Sequence, residues 1–190
     1  MTVTPPAQTL TALLQRQSAN TSPLLYDREQ PLSYADLIAQ ADRVAAGLLA
    51  LGVAPGDRVA IWLPNVPAWL ACFFGCARVG AIAVAVNTRF RAHELADIIA
   101  RSGSRVLVYW PGFTKVDFDA VLGGCAPESL AGLSAIVEYA EAAPAGGAHT
   151  TAASAAPAVP RIGYRALCER QPDAAALAAA LQAGTADAGC

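Results

Sequence analysis

The sequence has 190 residues, which is enough for one compact domain with a substantial core. Hydrophobic residues make up 55% of it and charged residues only 15%, so the composition excludes a chain that is disordered because of its charge. The 13 basic and 15 acidic residues give a net charge of −2 without any run of like charge, so we expect no nucleic-acid partner.

Metal and disulfide chemistry are not expected either. The 5 cysteines contain no CxxC pair, and the 2 histidines do not complete a zinc site with them at any usual spacing. The N-terminus lacks the basic and apolar regions of a secretion signal, so we expect a cytoplasmic protein with reduced cysteines.

The first elements in chain order are a helix, a strand and a longer helix. Leucines at helical spacing predict a helix within residues 6–18, and the short apolar run 23–26 predicts a strand. The clearest helix follows Ser33, which can cap it together with Asp36, and Gly52 ends it.

Alternating strands and helices follow. We predict a strand at 58–62, a helix at 66–79, a strand at 81–86, a helix at 91–102 and a strand at 105–109. Each crossover has room for one helix, which is typical of right-handed βαβ units in a parallel sheet. The predicted fold class is therefore α/β.

A long uncharged stretch from 59 to 77 could be mistaken for a membrane span. Pro64, Asn65 and Pro67 interrupt it, so we predict a strand, a turn and a helix instead of a transmembrane segment. The helix 66–79 is apolar around its whole circumference, so we expect it to be covered on all sides, between two sheets or at an interface.

The remaining elements are shorter. We predict a loop and short helix at 113–123, a fourth strand at 135–139, and short helices at 161–170 and 173–181. Residues 142–160 contain no charge and are rich in alanine, glycine and proline, which indicates a low-complexity loop.

Five segments form an ordered set along the chain. They are Leu32–Leu37, Gly52–Ile61, Asn65 with Pro67, Cys76–Asn87, and Glu94 with Leu95. Together they resemble the start of the adenylate-forming acyl-CoA synthetases, and residues 110–122 resemble those of the fatty-acid and related acyl-CoA ligases.

The resemblance implies a fold and a reaction. Residues 1–140 would be the N-terminal α/β part of a large domain in which two sheets sandwich helices, followed by a loop at 141–160 and a short helical tail at 161–190. The full-length family member would use ATP and Mg²⁺ to convert a carboxylic acid into an acyl-adenylate, from which coenzyme A then displaces AMP.

The sequence also departs from the family pattern. It has no Gly/Ser/Thr-rich phosphate loop followed by Pro-Lys, and residues 184–190 resemble the approach to that loop. We therefore expect an N-terminal part of a synthetase that holds no catalytic residue and no metal ligand, binds no cofactor tightly and is inactive alone. The alternative is a truncated paralogue that acts as a non-catalytic interaction module through the apolar helix 66–79.

Four residues are candidates for ligand binding. Asn87, Thr88 and Arg89 follow the end of a predicted parallel strand, where open α/β sheets tend to bind ligands. Lys115 lies in the loop after strand 105–109, and the resemblance implies that this loop lies near the nucleotide of coenzyme A. The alternatives are an ordinary loop role for the first three residues and an ordinary exposed position for Lys115.

Overall fold

A computed structural model describes residues 9–141 and 159–171 of the chain. The predicted helix 173–181 and most of the predicted low-complexity loop lie outside these residues. The described residues form these helices and strands in chain order: α1 (Leu10–Gln15), β1 (Pro23–Asp27), β2 (Gln30–Ser33), α2 (Tyr34–Ala50), β3 (Arg58–Trp62), α3 (Pro67–Arg78), β4 (Ile82–Ala85), α4 (Ala92–Ser102), β5 (Val106–Tyr109), α5 (Phe118–Gly123), α6 (Pro127–Leu130), β6 (Ala135–Glu138), β7 (Arg161–Gly163) and α7 (Tyr164–Cys168).

Five of the strands form one parallel sheet in the order β4-β3-β5-β6-β7. In its register, Ala60 of β3 lies beside Val84 of β4 and Leu107 of β5. Strands β1 and β2 form a separate antiparallel hairpin, whose turn places Arg28 and Glu29 at positive φ. The α/β class and the parallel βαβ units are thus confirmed, whereas β2 was not predicted because it is short and contains a proline.

The sheet is covered by helices on both faces. Alternate strand residues point to opposite faces, so Val59 and Ile61 pack towards α2, α3 and α7, whereas Ala60 and Trp62 pack towards α4, α5 and α6. All these strand residues are fully buried. A parallel sheet with apolar side chains on both faces requires this three-layer arrangement.

Helix α2 begins and ends as predicted. The Ser33 hydroxyl accepts a hydrogen bond from the backbone N of Asp36 at 3.1 Å, and the Asp36 carboxylate accepts one from the backbone N of Ser33 at 3.2 Å. These reciprocal bonds satisfy donors that helix formation leaves without partners. Gly52, with a φ of 77°, provides the left-handed backbone that follows the last turn.

Helix α3 is less covered than its composition predicted. Its small residues, among them Ala71, Cys72 and Gly75, are buried against α2 and the sheet. Trp69 and Phe73 are only partly buried, because the described elements pack on the other side of the helix. The expectation that α3 is covered on all sides is therefore wrong for the part of the chain that the structure describes.

The prediction of a helix at 161–170 is also wrong for its first residues. Arg161–Gly163 forms strand β7, which pairs with β6, and only Tyr164–Cys168 is helical. A three-residue strand is too short to show an alternating pattern, and it exists because β6 offers it a hydrogen-bonding edge. None of the helices in the described ranges is long and apolar enough to cross a membrane.

Candidate functional site

The order of the strands identifies one edge of the sheet as the place to look for a ligand. Strand β3 is followed by β4 on one side and, after the next crossover, by β5 on its other side. After β3 the chain leaves towards β4, and after β5 it leaves towards β6 on the opposite side of the sheet. Open α/β sheets tend to bind ligands beside such a point, at the carboxyl ends of the strands. We call this edge the carboxyl edge.

Asn87, Thr88 and Arg89 lie at the carboxyl edge, directly after β4. The Asn87 side-chain oxygen accepts a hydrogen bond from the backbone N of Arg89 at 2.9 Å, which folds the segment into a tight turn. The Asn87 carbonyl oxygen accepts a hydrogen bond from the indole N–H of Trp62 at 3.2 Å. The turn is thereby attached to the end of β3, with Arg89 exposed beside it.

Lys115 lies at the same edge, in the segment between β5 and α5. Its side chain is exposed and makes no hydrogen bond or ion pair with the described residues. The segment itself is ordered by aromatic contacts, since the ring centroids of Trp110 and Phe113 are 5.1 Å apart and those of Phe113 and Phe118 are 5.8 Å apart.

The two candidate segments lie at the same edge of the sheet. Strands β4 and β5 flank β3, so their ends are about two strand spacings, or roughly 10 Å, apart. Among the described residues no hydrogen bond joins the turn after β4 to the segment after β5. Two exposed cations, Arg89 and Lys115, thus lie at the same edge of the sheet.

The sequence did not reveal a polar cluster at the same edge. The Tyr109 hydroxyl lies 2.7 Å from an Asp119 carboxylate oxygen and 2.8 Å from Nη1 of Arg161, and that guanidinium is 2.7 Å from the Glu138 carboxylate. Burial, together with the hydrogen bond to Asp119, raises the pKa of Tyr109, which therefore stays protonated.

The sequence contains part of the evidence for this polar cluster. Tyr109 and Glu138 are each the last residue of an apolar strand, and such ends meet when the strands are neighbours in a parallel sheet. Arg161 could not be assigned to the cluster because β7 itself was not predicted.

Two pockets lie beside the hairpin. One, of about 380 Å³, is bordered by polar and aromatic side chains that include Gln30, Gln40, Tyr139 and Tyr164. The other, of about 310 Å³, is mainly apolar and includes Tyr26, Asn65 and Trp69. Neither was predicted, because the position of the hairpin against α3 depends on tertiary packing.

A metal ion would need several donor side chains close together. Residues 9–141 and 159–171 contain no group of three or more His, Cys, Asp or Glu side chains that could hold a metal ion. The side chains in these ranges therefore do not fit a Mg²⁺ site made of protein ligands alone. The exposed charged side chains at the carboxyl edge include the cations Arg89 and Lys115 and the carboxylate of Asp117.

Comparison with known proteins places the chain in a family. The family model for AMP-binding enzymes matches residues 14–182. The long-chain-fatty-acid–CoA ligase FadD13 of Mycobacterium tuberculosis is 43% identical over 99 residues, which are 50% of this chain and 20% of that protein. The human mitochondrial medium-chain acyl-CoA ligase ACSF2 is 31% identical over 121 residues, which are 64% of this chain and 20% of that protein.

Solved structures share the fold. The anthranilate CoA ligase AuaEII, in complex with anthranoyl-AMP, superposes on 89% of this chain with a TM-score of 0.67 and 22% identity. A Mycobacterium tuberculosis fatty acyl CoA synthetase covers 96% of this chain with a TM-score of 0.56 and 26% identity. These matches span 29% and 30% of the two solved chains.

These similarities confirm the resemblance drawn from the five sequence segments. The chain spans about a fifth of the length of these curated relatives, so the activities in their names belong to much longer proteins. The chain belongs to the AMP-binding enzyme family, in which it corresponds to the N-terminal portion of an acyl-CoA synthetase.

Proposed function

We propose that the chain supplies part of an ATP-dependent acid–CoA ligase that acts on a fatty or related carboxylic acid. The family match over residues 14–182 carries this proposal, and the names of the similar ligases support it. In the proposed reaction, the carboxylate oxygen attacks the α-phosphorus of ATP and pyrophosphate leaves. The thiol of coenzyme A then attacks the acyl carbon, loses its proton and displaces AMP.

Within that reaction, the carboxyl edge would contact the phosphate groups of coenzyme A. Arg89 and Lys115 are exposed there, and guanidinium and ammonium groups donate charge-assisted hydrogen bonds to phosphate oxygens. Asn87 and Thr88 would form the turn that presents Arg89. We expect the ATP site and the ligands of Mg²⁺ to lie outside the described residues.

Binding of coenzyme A to the purified chain tests this assignment. We expect weak binding that added salt weakens further, and we expect Lys115→Ala and Arg89→Ala each to raise the dissociation constant about three- to tenfold, as for the loss of one charged contact. The matched control is Arg101→Ala, which removes the same charge from the last turn of α4, at the opposite edge of the sheet. Equal weakening by all three substitutions would indicate nonspecific attraction and contradict the assignment.

The proposal also includes the inactivity of the isolated chain. The purified chain, mixed with ATP, Mg²⁺, a fatty acid and labelled pyrophosphate, should show no acid-dependent exchange of label into ATP, because the groups that would hold the triphosphate are expected elsewhere. Acid-dependent exchange above the level without enzyme would contradict this part of the proposal.

A second candidate function is a non-catalytic interaction module. The observation that favours it is the partly exposed aromatic side of α3, where the rings of Trp69 and Phe73 stack at 5.6 Å. Sedimentation distinguishes the two candidates: self-association that Phe73→Ser abolishes, without any binding of coenzyme A, would favour the interaction module. A monomeric chain that binds coenzyme A through Lys115 would favour the ligase.

A further inference from the structure

The Lys115 loop, which we define as residues 110–117, is held at both of its ends by a single hydroxyl group. Tyr109, the last residue of β5, precedes the loop, and Asp119, in the first turn of α5, follows it. The Tyr109 hydroxyl donates a hydrogen bond to the Asp119 carboxylate at 2.7 Å. This bond closes the loop, and the side chain of Lys115 is exposed outside it.

The same hydroxyl is anchored on the sheet. Its oxygen accepts a hydrogen bond from Arg161 of β7 at 2.8 Å, and Arg161 also forms an ion pair with Glu138 of β6 at 2.7 Å. The Tyr109 hydroxyl has only one hydrogen, and Asp119 is the nearer acceptor because Glu138 lies 3.4 Å away. The Glu138 carboxylate is instead occupied by Arg161.

The hydroxyl and the ring of Tyr109 have separate roles. The ring is fully buried and stacks on Trp62 at a centroid distance of 6.3 Å, and Trp62 in turn contacts Phe118 at 4.3 Å. A phenylalanine at this position would keep the ring contacts and would remove only the hydrogen bonds. The structure therefore allows the contribution of the hydroxyl to be measured alone.

We propose that Tyr109 and Asp119 are positioning residues, which hold the Lys115 loop in the one conformation that presents the Lys115 ammonium to an anionic ligand. The inference rests on the proposed function for its ligand, the phosphate groups of coenzyme A. The loop geometry itself does not depend on the identity of that ligand. This part-buried hydrogen bond to a carboxylate is stronger than one between neutral groups, and it joins the two ends of the loop.

Amide hydrogen exchange tests the positioning directly. The backbone N of Val116 donates to the carbonyl of Phe113, and the backbone N of Phe118 donates to the carbonyl of Val116. In Tyr109→Phe and in Asp119→Ala, we expect the amides of Val116 and Phe118 to exchange at least about tenfold faster, while amides of β3 keep their native rates. Tyr34→Phe is the matched control, since the Tyr34 hydroxyl forms no hydrogen bond with the described residues.

Binding of coenzyme A tests whether the positioning acts through Lys115. Tyr109→Phe should weaken binding about threefold in the native background, and by no more than Lys115→Ala does. It should have no further effect when Lys115 is already alanine. A purely structural role would weaken binding by the same factor in both backgrounds.

The two measurements separate the failure of this inference from the failure of the proposed ligand. Native exchange rates in the loop of both variants would overturn the inference, and so would equal weakening in both backgrounds. If the native chain binds no coenzyme A, the proposed ligand is wrong, and faster loop exchange in both variants still supports the positioning role.

Discussion

The cysteines of α3 show how burial determines chemistry at a single residue. Cys72 and Cys76 are both buried and lie on the side of the helix that faces α2 and the sheet. Burial raises the pKa of Cys76 to about 12 and raises that of Cys72 well above the ordinary thiol value. Their spacing of four residues therefore reflects core packing and does not indicate a redox pair.

This leads to a prediction for thiol modification at pH 8. We expect Cys72 and Cys76 to remain unmodified in the native chain while Cys168, which is partly exposed, reacts at least about tenfold faster. Iodoacetamide labelling followed by peptide mass spectrometry measures each cysteine separately. Labelling of Cys72 or Cys76 at the rate of Cys168 would show that the interface between α2 and α3 opens readily.

The interface between α2 and α3 depends on a residue without a side chain. A Cβ atom at Gly75 would lie 2.7 Å from Cγ1 of Val44 and 3.3 Å from the carbonyl oxygen of Ala41. Real Cβ atoms do not approach other atoms this closely, so the helices could accept one only by moving apart. Gly75 therefore sets the distance between two helices that cover one face of the sheet.

We predict that Gly75→Ala lowers the free energy of unfolding by about 1–3 kcal/mol, although alanine is the better helix former. The matched control is Gly163→Ala, because nothing lies within 4 Å of a Cβ atom built there. We expect that variant to lose less than about 1 kcal/mol. Urea denaturation measures both, and a Gly75→Ala variant at least as stable as the native chain would show that α2 and α3 are not closely packed.

Among helices and strands, the sequence predicted the elements that carry a local apolar pattern and missed strands that lack one. Helix α2 was recognisable because its apolar stripe, Ser33 cap and Gly52 end are all local features. Strands β2 and β7 were missed because neither has the apolar run that marked β4, β5 and β6, and each exists through pairing with a neighbour. The partial exposure of α3 was missed because an apolar composition does not reveal which covering elements are present.

Across the whole molecule, the carboxyl edge was the part of the candidate site that the sequence could predict. The positions of Asn87 and Lys115 at that edge follow from the parallel βαβ pattern alone. The cluster around Tyr109 was missed because it joins side chains from β5, α5, β6 and β7, and only tertiary structure brings them together.

Three buried or half-buried tyrosines make the stability of the whole molecule depend on pH. Burial is the main cause that raises the pKa of Tyr109, Tyr139 and Tyr164 above 10.0 in the folded chain. A tyrosine whose pKa is higher in the folded than in the unfolded chain contributes stability that is fully present below the pKa of the unfolded chain. This contribution is lost as the pH rises from that value through the pKa of the folded chain. The free energy of unfolding should therefore fall steeply above about pH 10.

Tyrosinate absorbance, recorded beside circular dichroism during an alkaline titration, checks this dependence. We expect these three tyrosines to ionise together with the loss of helical signal, and we expect Tyr164→Phe to make the fall in stability less steep. Complete tyrosine ionisation while the helical signal remains native would contradict the burial of their hydroxyl groups.

An NMR titration of the isotope-labelled chain with coenzyme A shows directly where this ligand binds. We predict chemical-shift changes concentrated at the carboxyl edge, in residues 63–66, 87–91 and 110–117, and we expect Lys115→Ala to reduce them. Changes confined to the opposite edge, in residues 54–58 and 103–105, or an unchanged spectrum at saturating coenzyme A, would contradict the claim that the carboxyl edge binds this ligand.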